Sequence, residues 1–350
     1  MPAHATRSPN QALPVVLVVA VVAGLLGGVL WWQDRLNNGA PEPMPTGSTA
    51  PAAADVAEGR LTYRRLANPA RTVVMSGDKR VATFTDGARV VDIAGPTRTF
   101  REPEHTSATV TVNDWIRLAP RPWRKGAEKQ SWLLPWLTSK VADRSPDLFA
   151  IAMQYKDGAA PKKNADGLTY AGDADFGPKD EDSQFGRDEK SDFYDYLGIE
   201  WDFPDGRHEE PERVRLGDLD CSGFVRMVFG YRMGYPMHNT NTRRPGSLPR
   251  RAYAINQYGP GTLIIRNEGG PVADYDALQP GDLVFFNTDS TPGYSTNHSG
   301  IYLGIDSTGH RRFMSSRVRA NGPTFGDLGG NAVLDDGSYY SVRFRAARRL

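Results

Sequence analysis

The sequence predicts an α+β fold, in which a nucleophile-bearing helix packs on an antiparallel sheet behind a smaller β-rich unit. Three observations predict it. Cys221, the only cysteine among 350 residues, stands in Asp220-Cys221-Ser222-Gly223-Phe224 at the head of an apolar helical run. His298 opens a strand-like run, Ser299 to Ile305. Upstream, between residues 61 and 120, β-branched runs alternate with turn signals.

From the N-terminus, a short tail (residues 1–11) carries Arg7 and precedes an uncharged apolar stretch, residues 12–32, ending in Trp31 and Trp32. About 20 residues at 1.5 Å rise match a membrane span, and indoles favour the interface. An uncleaved transmembrane helix is expected, with the tail cytoplasmic and the rest exported. A cleavable signal peptide is the rival reading, but its apolar region is normally shorter. Residues 33–60, rich in Ala, Pro, Gly, Ser and Thr, have no apolar bulk to bury and read as an extended tether.

In residues 61–120, Thr72-Val73-Val74-Met75 meets Ser76-Gly77-Asp78, and Val81 to Thr85 meets Asp86-Gly87. Asp-Gly between β-branched runs is a hairpin signal, so a small antiparallel unit is expected. Leu133, Leu134, Trp136, Leu137, Leu148, Ile151, Ala152 and Tyr155 then fall at helical spacing over Trp132 to Tyr155. A polar, acidic stretch follows and reads as a solvated insertion at about residues 172–212. Its carboxylates lack the spacing of a calcium loop.

The helix from Cys221 to Met233 presents Phe224, Val225, Val228 and Phe229 to a core. Gly281 to Phe286, Ser299 to Ile305, Arg312 to Met314 and Tyr339 to Phe344 supply strands. Residues 121–350 thus read as one domain of papain-like character. The net charge of +1 gives no footing for a nucleic-acid partner, and Arg243-Arg244 and Arg250-Arg251 read as solvated surface. Neither a metal nor an organic cofactor is implied.

A lone cysteine is often just a small buried hydrophobe. At a helix N-terminus, however, partial positive charge favours a thiolate and the free N–H groups can hold an oxyanion. With a distant histidine, this is the outline of a cysteine hydrolase.

Asp220 to Phe224, Pro280-Gly281-Asp282-Leu283-Val284-Phe285-Phe286 and His298-Ser299-Gly300-Ile301-Tyr302-Leu303-Gly304 occur in the order that marks the NlpC superfamily of cell-wall cysteine peptidases, which this chain resembles over roughly Trp132 to Arg345. The resemblance implies hydrolysis of peptidoglycan stem peptides, commonly between D-glutamate and a diamino acid. It makes Cys221 the nucleophile, His298 the general base and later acid, and the Cys221 N–H an oxyanion donor. Tyr170 matches the family tyrosine beside the nucleophile. Asp220 and Ser222 would hold the substrate's amine end, or simply cap the helix. The family's third polar group falls on Ser315, with His310 nearby in a turn. A serine stabilises an imidazolium less than a carboxylate does. That substitution and the long insertion also suit a wall-binding interaction protein with a degenerate site. Amidases and acyl transferases on the same scaffold are a further alternative.

Overall fold

A computed structural model describes residues 53–58, 60–183, 185–289 and 295–350. The apolar stretch 12–32 and most of the tether lie outside the described residues. Among the described residues, no helix is long and apolar enough to cross a membrane.

The first unit is the antiparallel meander its turn signals predict. After a short helix α1 (Ala53–Ala57), strands β1 (Leu61–Leu66), β2 (Arg71–Ser76), β3 (Lys79–Thr85), β4 (Val90–Phe100) and β5 (Val110–Leu118) pair in sequence order. Gly77, at φ 59°, allows the tight β2–β3 turn, a conformation costly for any residue with a Cβ. The expected helical stretch is two helices, α2 (Leu133–Ala142) and α3 (Leu148–Ala152). Asp147 starts the second by accepting the Ala150 N–H, while its carboxylate also takes Arg98 and the Ile116 N–H. The two helices serve different cores. Leu133, Leu137 and Val141 pack with Val74, Phe84 and Trp123 of the first unit, so that core runs past residue 120. Leu148, Phe149 and Ile151 join the second core.

That second core is built around α5 (Cys221–Val225), which continues as a π-helical stretch, Arg226–Arg232. Before it come the short strands β6 (Lys162–Lys163), β7 (Thr169–Ala171), β8 (Trp201–Asp202) and β9 (His208–Glu209), with α4 (Phe193–Leu197) between β7 and β8. After it come α6 (Ala252–Tyr258), β10 (Thr262–Ile265), β11 (Leu283–Phe286), β12 (His298–Ile305), β13 (Arg311–Arg317), β14 (Gly322–Thr324) and β15 (Phe344–Arg349). The six strands β10 to β15 form one antiparallel sheet in the order β10-β15-β11-β12-β13-β14. The chain's last strand is therefore inserted beside β11 rather than added at an edge. Both sheet faces are covered. Leu283, Phe285, Ile301, Leu303 and Met314 meet Phe224, Val225, Val228 and Phe229 in one core. Val284, Phe286, Tyr302, Phe313, Tyr340 and Phe344 form another on the opposite face, as strand alternation requires. The architecture is mixed α+β with antiparallel sheets, as expected.

The stretch at 172–212 is not the solvated insertion expected. Phe193, Tyr194, Tyr196, Leu197 and Phe203 are buried in the core around the Cys221 helix. Asp192 is fully buried and paired with the equally buried Arg226, Nε to Oδ2 3.0 Å. Its acidic composition hides a folded element, because Asp192 and Asp195 are buried as helix caps and Asp192 also pairs with Arg226, while Asp173, Asp175, Glu181 and Asp182 do face water.

Candidate active site

Asp220 is the N-cap of α5: Oδ1 accepts the Gly223 N–H at 2.6 Å, fixing Cys221 at the first helical position. The Cys221 N–H there has no intrahelical acceptor and is available to an incoming oxyanion. Gly223 is dictated by packing, since a Cβ would stand 2.2 Å from the Ser191 carbonyl oxygen. The start of β12 clasps the thiol. Cys221 Sγ lies 3.8 Å from the Asn297 carbonyl, the Ser299 N–H donates toward the sulfur, and Ser299 Oγ donates to the Cys221 carbonyl at 3.3 Å.

Cys221 and His298 line one cleft of about 340 Å³, together with Phe176, Phe185 and Glu189 from the former insertion and Arg317, Tyr339 and Tyr340 from the other side. The structure thus brings the expected nucleophile and base to the same cavity. The His298 ring stands over Tyr340, centroids 5.6 Å apart and planes 30° apart, with Phe286 at 5.7 Å. Its Nε2 is buried without a hydrogen-bond partner among the described residues.

The remaining expected residues fall differently. Ser315 is on β13 and fully buried, but its Oγ accepts Arg317 Nε at 3.0 Å instead of engaging the imidazole. The two side chains share a strand face two residues apart, so the arginine reaches the serine first. His310 is in the turn before β13, half-exposed, 3.1 Å from Asp335. Asp220 and Ser222 are both buried. Arg250 Nη2 reaches Asp220 Oδ2 at 2.7 Å, and Arg250 Nη1 reaches Ser222 Oγ at 2.8 Å. Capping accounts for Asp220, whose Oδ1 also accepts the Ser222 hydroxyl at 3.0 Å, and neither residue is among those lining the cleft. The same contacts correct the reading of Arg250 as surface. Tyr170, on β7, lies against Arg232 at the far end of the nucleophile helix, 4.7 Å from ring centroid to guanidinium carbon, and is not among the cleft-lining residues.

Electrostatics oppose a resting ion pair. Burial first, then the charges of Asp220 and Glu189, push the Cys221 thiol up to about 12. Burial and the nearby Arg317 pull His298 down to about 3. The thiolate expected from the helix terminus is therefore overridden by desolvation and two neighbouring carboxylates. The resting site holds a neutral thiol and a neutral imidazole.

Sequence reasoning missed Arg317, Tyr340, Glu189 and Arg250. Strand alternation from Ser315 points to Arg317, whereas no local signal marks Tyr340 or Glu189.

A helix-borne cysteine and a sheet-borne histidine share one cleft, the pair of residue types that thiol-dependent hydrolysis employs. Residues 206–325 match the family model described as NlpC/P60 family, which shows the resemblance carried by the three motifs. That family is one of peptidoglycan-related cysteine peptidases and hydrolases acting on peptidoglycan peptides. No curated protein gives a significant match to the chain.

Proposed function

We propose that the chain is an exported, membrane-anchored peptidoglycan hydrolase that cleaves stem peptides, with D-glutamyl–diamino acid bonds as its target. The observation that carries this reading is the shared cleft of Cys221 and His298. Residues 12–32 would anchor the chain and the tether that follows would hold the folded part away from the bilayer, ending at the helix Ala53–Ala57, whose Val56 is buried in the first core.

Since thiol and imidazole are both neutral at rest, proton transfer accompanies attack. His298 takes the Cys221 proton as Sγ adds to the scissile carbonyl, and the Cys221 N–H donates to the developing oxyanion. Collapse expels the amine, which receives the proton from His298, and leaves a thioester. Water, deprotonated by His298, then releases the carboxylate and restores the thiol. The imidazole packs against the tilted rings of Tyr340 and Phe286, while the Ser315 hydroxyl is held by Arg317.

One observation favours a second reading. The commitment of Ser315 to Arg317 leaves the base without an orienting acceptor, as in a wall-binding protein with a degenerate site. Digestion of purified peptidoglycan by the full-length chain, beside Cys221→Ala, separates the readings. Fragments cut between D-glutamate and the diamino acid, with wild type only, are the expected result. Stoichiometric wall binding with no products and no alkylation of Cys221 would favour the degenerate site. Release of intact peptides from the sugar would mean an amidase.

A further inference from the structure

Of the arginines buried most completely, Arg226 and Arg349 each hold a carboxylate: Asp192 at 3.0 Å and Asp282 at 2.7 Å. Arg317, only 2 % exposed, has none within salt-bridge distance among the described residues, although Glu102 and Asp327 lie near enough to attract it. Its Nε is on Ser315 Oγ, and its Nη1 is on the carbonyl oxygens of Gly326, Leu328 and Gly330, closest to Gly330 at 2.6 Å. One face of the guanidinium lies against Tyr340, 4.6 Å from the ring centroid. Nη2 is buried with no hydrogen-bond partner among the described residues. A desolvated cation with an unmet donor is destabilising until a counter-charge arrives. Arg317 bears this deficit in the wall of the cleft that holds Cys221 and His298.

We propose that Arg317 is a carboxylate anchor: a free carboxylate of the bound peptide supplies the missing counter-ion and sets the scissile bond against Cys221. This rests on the hydrolase reading and narrows its substrate to acidic rather than amidated stem peptides. Glu189 also lines the cleft and is exposed, so the cavity carries a negative group as well, and an acidic peptide is favoured in the orientation that keeps its carboxylate from Glu189. The carboxylate has two sources within a stem peptide, the α-carboxyl of the D-glutamyl residue and a carboxyl of the diamino acid.

The test measures binding and turnover separately, using L-alanyl-γ-D-glutamyl-diamino acid tripeptide and two analogues. One is amidated at the glutamyl α-carboxyl, the other at the diamino acid's carboxyl. Calorimetry on full-length Cys221→Ala should show that one amidation weakens binding about 10- to 100-fold, as loss of a charge-assisted hydrogen bond does, and identify the carboxyl concerned. Adding Arg317→Gln should abolish that discrimination. Equal binding of acid and both amides, a preference surviving Arg317→Gln, or no binding of any peptide at about 10 mM overturns the anchor. Should Arg317→Gln fail to fold, the acid–amide comparison with Arg317 intact still decides. Wild-type turnover indifferent to amidation would remove the anchor and leave the hydrolase. Acid-selective binding without turnover would remove the hydrolase and leave the anchor.

Discussion

Arg226 and Asp192 meet beneath the nucleophile helix with neither side chain exposed to solvent, Nε to Oδ2 3.0 Å. Arg226 also donates to the carbonyl oxygens of His238, Leu248 and Pro249. Arg250 approaches the same Asp192 at 3.3 Å while holding Asp220. The acidic segment, the loop after the helix and the N-cap of Cys221 are therefore one buried polar network.

Breaking that network at one partner leaves an uncompensated buried charge. Asp192→Ala should destabilise the protein by about 3–5 kcal/mol, and Asp192→Asn by somewhat less. Urea unfolding measures the loss. Hydrogen exchange should show the amides around Phe193 to Leu197 opening first. An effect under about 1 kcal/mol would mean the pair is not buried as described.

Gly223 touches a backbone oxygen that cannot retreat without moving Asp192. Gly223→Ala, a harmless change in an ordinary helix, should here cost about 1–3 kcal/mol by overpacking. It should also slow alkylation of Cys221, because the shift tilts the first turn. Thermal unfolding unchanged from wild type would contradict the 2.2 Å approach.

Glu189 is one of the charges that raise the Cys221 thiol. Removing it favours the thiolate, so Glu189→Gln should speed iodoacetamide alkylation several-fold at pH 8. The gain should shrink in high salt, which screens the charge in wild type. Slower or unaltered alkylation would place Glu189 away from the sulfur.

Asp218 and His298 pull stability in opposite directions with pH. Burial and Asp175 raise Asp218 from 3.8 to about 6, so its favourable contribution is present below about 4 and lost as pH rises through 6. Asp218→Asn should therefore stabilise the protein by about 1–2 kcal/mol at pH 8, with the difference vanishing near pH 4. His298, lowered from 6.5 to about 3, contributes above 6.5 and loses that contribution as pH falls below it, because the unfolded chain binds the proton first. Burial and Arg317 therefore favour the neutral histidine in the free protein well below pH 6. kcat/KM should then show no acid limb at pH 6–7 from His298. Denaturation midpoints and pH–rate profiles check the two claims.

Much of the architecture was legible because it rests on local rules. The Gly77 turn, the β-branched runs, the apolar stripe from Phe224 to Phe229 and the Asp220 cap each follow from a few neighbouring residues. The sequence alone also singled out Cys221 and His298, and the three motifs around them, which the family match from 206 to 325 spans. It could not tell that Asp192 and Asp195 are caps within a core, because composition reports charge and not its partner. Asp192 is buried only because Arg226, 34 residues away, completes it. Likewise Ser315 was found by alignment, but tertiary packing gave its hydroxyl to Arg317 and gave His298 the ring of Tyr340. The thiol's ionisation was reversed for the same reason. A helix terminus is a local feature, whereas desolvation and the reach of Glu189 exist only once distant segments close around the sulfur.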